Sequence, residues 1–185
     1  MKEEVFQNMK SKMEKAIAAH QKELNRLRTG RASPALLEGI RVDYYGTPTP
    51  IQQTASITIP ESRLIVIQPW DKSMIESIEK SIQKANLGLS PANDGTVIRI
   101  AIPSLNEERR KDLAKIVKKM AEETKISIRN IRREANESLK KLEKDKALSE
   151  DDAHRAMDEV QKITDQKIND IDKILEEKQK EIMEK

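Results

Sequence analysis

The 185-residue sequence predicts an α+β protein of two domains. The expected architecture is an elongated, antiparallel three-helix bundle with an inserted small β-rich α/β domain, joined by a two-strand hinge. Three observations predict it. All seven prolines and all five glycines fall within residues 30–103, leaving 29 residues before and 82 after without either. Inside a helix Pro costs about 3 and Gly about 1 kcal/mol, so the flanks read as uninterrupted helix and the middle as turn-rich. The flanks repeat apolar residues at helical spacing, whereas the middle carries β-branched runs bounded by turn residues. The expected domains are residues 1–29 with 105–185 for the bundle, and 30–104 for the insert.

The first helix is expected over about residues 3–28, with Val5, Met9, Met13, Ile17, Leu24 and Leu27 on one face. Gly30 suits the position just past its end, where a positive φ is usual. Ser33-Pro34 is an N-cap followed by Pro at the first helical position, opening a short helix that Gly39 ends. In the middle, residues 40–45, 56–59, 63–67 and 96–102 read as strands, and Asn93-Asp94-Gly95 as the turn before the last. Met74, Ile75, Ile78, Ile82 and Ala85 mark a single amphipathic helix. Trp70, between a strand and that helix, is expected to pack in the core or hinge.

The second long helix starts near Leu105-Asn106-Glu107, with Val117, Met120, Thr124, Ile128, Ile131, Ala135, Leu139 and Leu142 as its apolar line. The turn Lys144-Asp-Lys-Ala-Leu-Ser149 lacks Gly. Ser149 caps the third helix, with Glu150, Asp151 and Asp152 in its first turn, where acids suit the helix dipole. Val160, Ile168, Ile171, Leu175 and Ile182 form its stripe. None of these helices can bury its stripe alone; three facing stripes can. The insert must leave and return by adjacent links, which fall at Thr29-Gly30 and Pro103-Ser104-Leu105. Two short parallel links restrict separation and permit rotation, so a hinge and a bent molecule are expected.

The formal net charge of +3 conceals an asymmetry. Residues 109–146 hold 14 Lys and Arg against 7 Asp and Glu, a net +7; residues 150–185 hold 7 against 12, a net −5. Lys118, Lys125, Arg129, Arg132, Arg133 and Lys140 fall on one side of the second long helix, away from its apolar line. Arg26, Arg28 and Arg31 cluster where the first helix ends. Two readings stand: a solvated face paired internally with acids by i,i+4 contacts, or a ridge for phosphates, which the planar Arg fork grips bidentately. Residues 126–133 contain three Arg and no acid before Glu134, so local pairing is poor. Aromatics are only 2% of the chain, which disfavours stacking on single-stranded bases and favours the backbone and shape of structured RNA.

Catalytic and cofactor signals are absent. With no Cys, disulfides, thiolate metal sites and a Cys nucleophile are excluded. There is no P-loop and no dinucleotide fingerprint, so no cofactor and no enzyme are expected. His20 reads as a packing residue on the apolar side of its helix, and His154 as part of a capped helix start rather than a metal ligand. No apolar run approaches the ~18 residues of a membrane span, and the N-terminus lacks the apolar stretch of a secretory signal. A cytoplasmic monomer is expected. The rival reading is a homodimeric coiled-coil scaffold without an RNA partner.

Several motifs carry a likeness. Leu27-Arg-Thr-Gly-Arg-Ala-Ser-Pro34, Val42-Asp-Tyr-Tyr-Gly-Thr-Pro48, Val66-Ile-Gln-Pro-Trp-Asp71, Asn93-Asp-Gly95 and Ile128-Arg-Asn-Ile-Arg-Arg133 resemble the ribosome recycling factor family, in order and from end to end. The resemblance implies a factor that binds the post-termination ribosome on its large subunit and, with GTP-bound elongation factor G, splits it into subunits. It implies rRNA contacts by Arg129, Arg132 and Arg133, with Arg28 and Arg31 near the hinge. With the charge reading, the expected rRNA-binding set is Arg28, Arg31, Lys118, Lys125, Arg129, Arg132 and Arg133. The expected hinge set is Thr29, Gly30, Pro103, Ser104 and Leu105.

Overall fold

The structure, a computed structural model, describes residues 1–184 in two compact units, Met1–Leu24 with Lys111–Glu184, and Asn25–Arg110. The expected cuts at 29 and 105 therefore differ from these limits by five and six residues. Residues 25–29 and the first turn of the second long helix group with the smaller unit.

The larger unit is a bundle of three helices: α1 (Lys2–Asn25), α3 (Glu107–Lys144) and α4 (Glu150–Met183). At about 1.5 Å per residue, α3 spans roughly 57 Å. Met9 and Met13 of α1, Ala121, Ile128 and Leu139 of α3, and Val160 and Ile171 of α4 fill one continuous core. Truncating such a buried Met or Leu costs about 2–5 kcal/mol. Ala121, Ala135, Ala153 and Ala156 are also buried, and small side chains let the helices approach closely. Asn106 caps α3, its Oδ1 accepting the Arg109 N–H at 2.7 Å, and Ser149 caps α4, its Oγ accepting the Asp152 N–H at 3.1 Å.

The turn without glycine closes by a known C-cap geometry. Ala147 N–H donates to Leu142 O at 2.8 Å and Lys146 N–H to Glu143 O at 2.9 Å, the pairing of a Schellman end. That geometry needs a left-handed residue, and Lys146 supplies it with φ 59°.

The smaller unit holds β1 (Arg41–Tyr44) and β2 (Thr47–Pro50) as a two-stranded sheet. β3 (Ala55–Glu61), β4 (Leu64–Pro69), β5 (Pro91–Asn93) and β6 (Ile98–Ala101) form an antiparallel sheet in the order β3-β4-β6-β5. Helix α2 (Ile75–Lys84) contributes Ile75, Ile78 and Ile82 to the core, with Ile65 and Ile67 of β4 and Ile98 and Ile100 of β6. The period-two alternation of a sheet covered on one face follows. Two strands escaped the sequence reading. β2 contains two prolines and β5 begins with one, and both occupy edges, where Pro removes no needed ladder bond. Tyr45 and Gly46, with φ of 50° and 85°, make the two-residue turn from β1 to β2.

Trp70 is a correction: it is 69% exposed rather than packed. The alternation that buries Ile65, Ile67 and Pro69 turns the next residue outward.

Candidate nucleic-acid interface

Helix α3 carries the charged flank because nothing in its 38 residues interrupts the 3.6-residue turn. Leu113, Val117, Ala121, Ile128, Ala135 and Leu139 are buried, and the cations lie about a quarter turn round from them. Arg133, Lys118 and Lys140 are exposed; Arg129 and Arg132 are half-buried.

The side chains meet neutral groups. Arg132 Nη1 donates to Gln161 Oε1 of α4 at 3.3 Å, and Gln161 Nε2 donates on to Asp165 Oδ1 at 2.8 Å. Arg133 Nη1 donates to Asn130 Oδ1 at 3.2 Å. Among the described residues, no carboxylate forms an ion pair with Lys118, Arg129, Arg132, Arg133 or Lys140. Glu134, the first acid after the arginines, is turned to the opposite flank, where Lys12 of α1 holds it at 2.7 Å. Three guanidinium groups thus stand on one side of α3 without a direct carboxylate partner among the described residues.

Lys125 departs from the expectation. Its side chain is only 12% exposed, and Nζ lies 2.5 Å from Asp172 Oδ1 and 3.4 Å from Glu122 Oε1. The hydrogen bond to Asp172 raises its pKa, against the opposing effect of burial. Lys125 sits on the edge of α3 nearest α4 and is neutralised by the acidic helix, so it is not a free member of the ridge.

Arg28 and Arg31 belong to the smaller unit and not to the α3 flank. The Arg28 guanidinium packs over Gly88, where an added Cβ would come within 2.8 Å of Nη1. Around the expected hinge, Thr29 is buried, Pro103 and Ser104 are exposed, and Leu105 is half-buried. Gly30 has φ +80°, and a Cβ there would lie 3.2 Å from Leu105 Cγ, so the two links are in van der Waals contact. Just inside them, Ala32 N–H donates to Ser62 O at 2.7 Å and Ile102 N–H to Arg63 O at 2.8 Å. Both links are thereby stitched to one tight turn between β3 and β4, and the unstitched chain is confined to a few residues.

His20 is 5% exposed, as a packing residue should be, and its buried Nε2 has no hydrogen-bond partner. Burial lowers its pKa. Among the described residues, no group of His, Cys, Asp and Glu is placed to hold a metal ion, and His154 is an exposed residue just past the first turn of α4. No described helix is long and apolar enough to cross a membrane. The sequence reading missed Asn136 and Gln161, which sit beside Arg132; the only signal for Asn136 is its place four residues after Arg132, and Gln161, on the other helix, has none.

A model of the family described as ribosome recycling factor matches residues 20–183. The chain belongs to the ribosome recycling factor family. Curated members from Desulfatibacillum aliphaticivorans and Halothermothrix orenii are each 58% identical over 184 residues and cover 100% of both chains. A solution structure of a ribosome recycling factor matches with a TM-score of 0.79 at 43% identity, over 98% of this chain and 97% of that one. A second neighbour matches with a TM-score of 0.70 at 46% identity, over 100% of each chain. It is described as models for the T. thermophilus ribosome recycling factor and the E. coli elongation factor G bound to the E. coli post-termination complex.

Proposed function

We propose that this chain recycles ribosomes after termination by binding the large subunit through α3 and transmitting a push from GTP-bound elongation factor G. The observation that carries this reading is the set Arg129, Arg132 and Arg133, unpaired with any carboxylate on a helix that cannot bend easily, in a chain of this family. Each guanidinium that neutralises an rRNA phosphate releases counterions, so affinity arises from charge and falls with salt. Lys118 extends the flank. Arg28 and Arg31 stand near the hinge and meet rRNA there, while Lys125 acts from behind, holding α3 to α4.

Thr29, Gly30, Pro103, Ser104 and Leu105 form the hinge about which the smaller unit swings. A bundle packed along its whole length transfers force without dissipating it in bending. The chain itself breaks no bond and takes no cofactor; nucleotide hydrolysis belongs to the partner. It works as a monomer in the cytoplasm, where ribosomes are. This reading is supported by the family relative bound with elongation factor G on the post-termination complex.

Light scattering of purified post-termination ribosomes tests it. Scattering should fall when this protein, elongation factor G and GTP are all present, and hold when any one is omitted. A fall without this protein, or none with the full set, overturns the proposal.

A further inference from the structure

The loop between β5 and β6 carries the one place in the chain where an Asp or Asn precedes a glycine, Asp94-Gly95. Glycine has no side chain to shield its backbone nitrogen, so an aspartate before it cyclises onto the main chain more readily than before any other residue. Both residues are exposed at a loop tip, open to water. The structure nevertheless holds each reacting group elsewhere. Gly95 N–H donates to Asn93 Oδ1 at 2.6 Å. Asp94 Oδ1 accepts from Thr96 N–H and Val97 N–H, each at 2.9 Å, and Asp94 Oδ2 accepts from Arg99 Nη1. Asn93 is anchored in turn to α2, its Nδ2 donating to Glu79 Oε2 at 3.1 Å. The Val97 N–H, the Arg99 guanidinium and the Thr96 N–H hold the Asp94 carboxyl well below the usual carboxylate range. It therefore stays ionised, the form that a nucleophile attacks poorly.

We propose that Asp94-Gly95 is a site of spontaneous aspartate isomerisation that the folded loop keeps closed, with Arg99 as its latch. When the loop opens, the Gly95 nitrogen attacks Asp94 Cγ. The N–Cγ bond forms, one carboxyl oxygen leaves as water with the amide proton and the acid proton, and a cyclic imide results. Water then adds at the Asp94 main-chain carbonyl carbon, the bond from that carbon to nitrogen breaks, and the backbone continues through Cγ as isoaspartate. The product lengthens the loop by one backbone atom and leaves a carboxylate one methylene shorter, drawn back from Arg99. Strand β5 has three residues and pairs with β6 alone, so the pairing of Asn93 with Ile98 beside the loop is the first to be lost. The Arg99–Asp94 pair is exposed and of modest strength, so the loop opens locally without the small unit unfolding. The chemistry needs only water and is independent of ribosome binding.

The test incubates the parent, Arg99→Gln and Arg99→Lys in buffer, and the parent also in urea. Isoaspartate is counted by methyl transfer from S-adenosylmethionine with a protein isoaspartate methyltransferase, and located by peptide mapping. The parent in urea should accumulate it at Asp94, and the folded parent several-fold more slowly. Folded Arg99→Gln should accumulate it several-fold faster than the folded parent, whereas Arg99→Lys, which keeps the charge, should stay close to the parent. Thermal melts of the three proteins separate local opening from global unfolding. Equal rates in the folded and unfolded parent, or isoaspartate mainly at another Asp or Asn, would overturn the site. A parental rate in Arg99→Gln, equal acceleration in both variants, or a melting temperature so low in Arg99→Gln that global unfolding accounts for its rate would overturn the latch.

Discussion

Lys125 of α3 and Asp172 of α4 meet across a helix seam, Nζ to Oδ1 at 2.5 Å. The pair takes a lysine that sequence places among RNA-binding cations and makes it a structural one. Replacing Lys125 by Ala should therefore cost about 1 kcal/mol of stability, since Asp172 remains half exposed, and leave ribosome binding close to parent. The pH dependence follows from the raised pKa: the folded state holds this proton more tightly than the unfolded state. The contribution is fully present below the reference value of 10.5 and fades as pH rises through the higher folded value. Urea unfolding between pH 8 and 11 measures it.

The unpaired arginines predict the opposite behaviour. Arg129→Ala, Arg132→Ala and Arg133→Ala should each reduce the slope of log affinity against log salt by about 0.7–0.9, with helix content unchanged. Lys125→Ala should not alter that slope. Large-subunit binding at four or five salt concentrations, with circular dichroism alongside, distinguishes the two classes.

His20 links stability to pH within the bundle. Its pKa is lowered by burial, so below the unfolded value of 6.5 the unfolded chain takes up a proton that the folded chain refuses. Stability should fall as pH falls from 6.5 to the lowered folded value, by at most about 1.4 kcal/mol per pH unit, and His20→Leu should flatten that part of the curve. Thermal melts of both proteins between pH 5 and 8 check it.

Lys146 holds a left-handed conformation, φ 59°, that Gly adopts without penalty. Lys146→Gly should raise stability by about 0.5–1 kcal/mol, because the Schellman bonds to Leu142 and Glu143 need no side chain at this position. A melting temperature equal to or below the parent's would count against strain at this turn.

Gly30 couples a positive φ to close contact with Leu105. A β-branched residue there is strained in backbone and crowded in side chain, so Gly30→Val should impair subunit splitting more than ribosome binding. Parallel splitting and binding assays give the comparison; equal losses in both, or none, would count against a hinge role.

The helices, the caps at Ser33 and Ser149, the breaker-rich insert and the family motifs were legible in the linear chain, because helix and strand periodicities and capping are local. Edge strands β2 and β5 were not, since prolines argue against a strand unless its free edge is known. Trp70 was misplaced because register within β4 decides which side it faces. The sequence alone determined that α3 would be rich in cations. Only the tertiary structure decided which remained unpaired, sending Lys125 to Asp172 and Glu134 to Lys12 and leaving Asn136 beside Arg132 without a partner. Pairing along one helix follows from spacing of three or four residues, whereas pairing across a seam depends on how two helices are rotated and staggered against each other, a quantity set by packing.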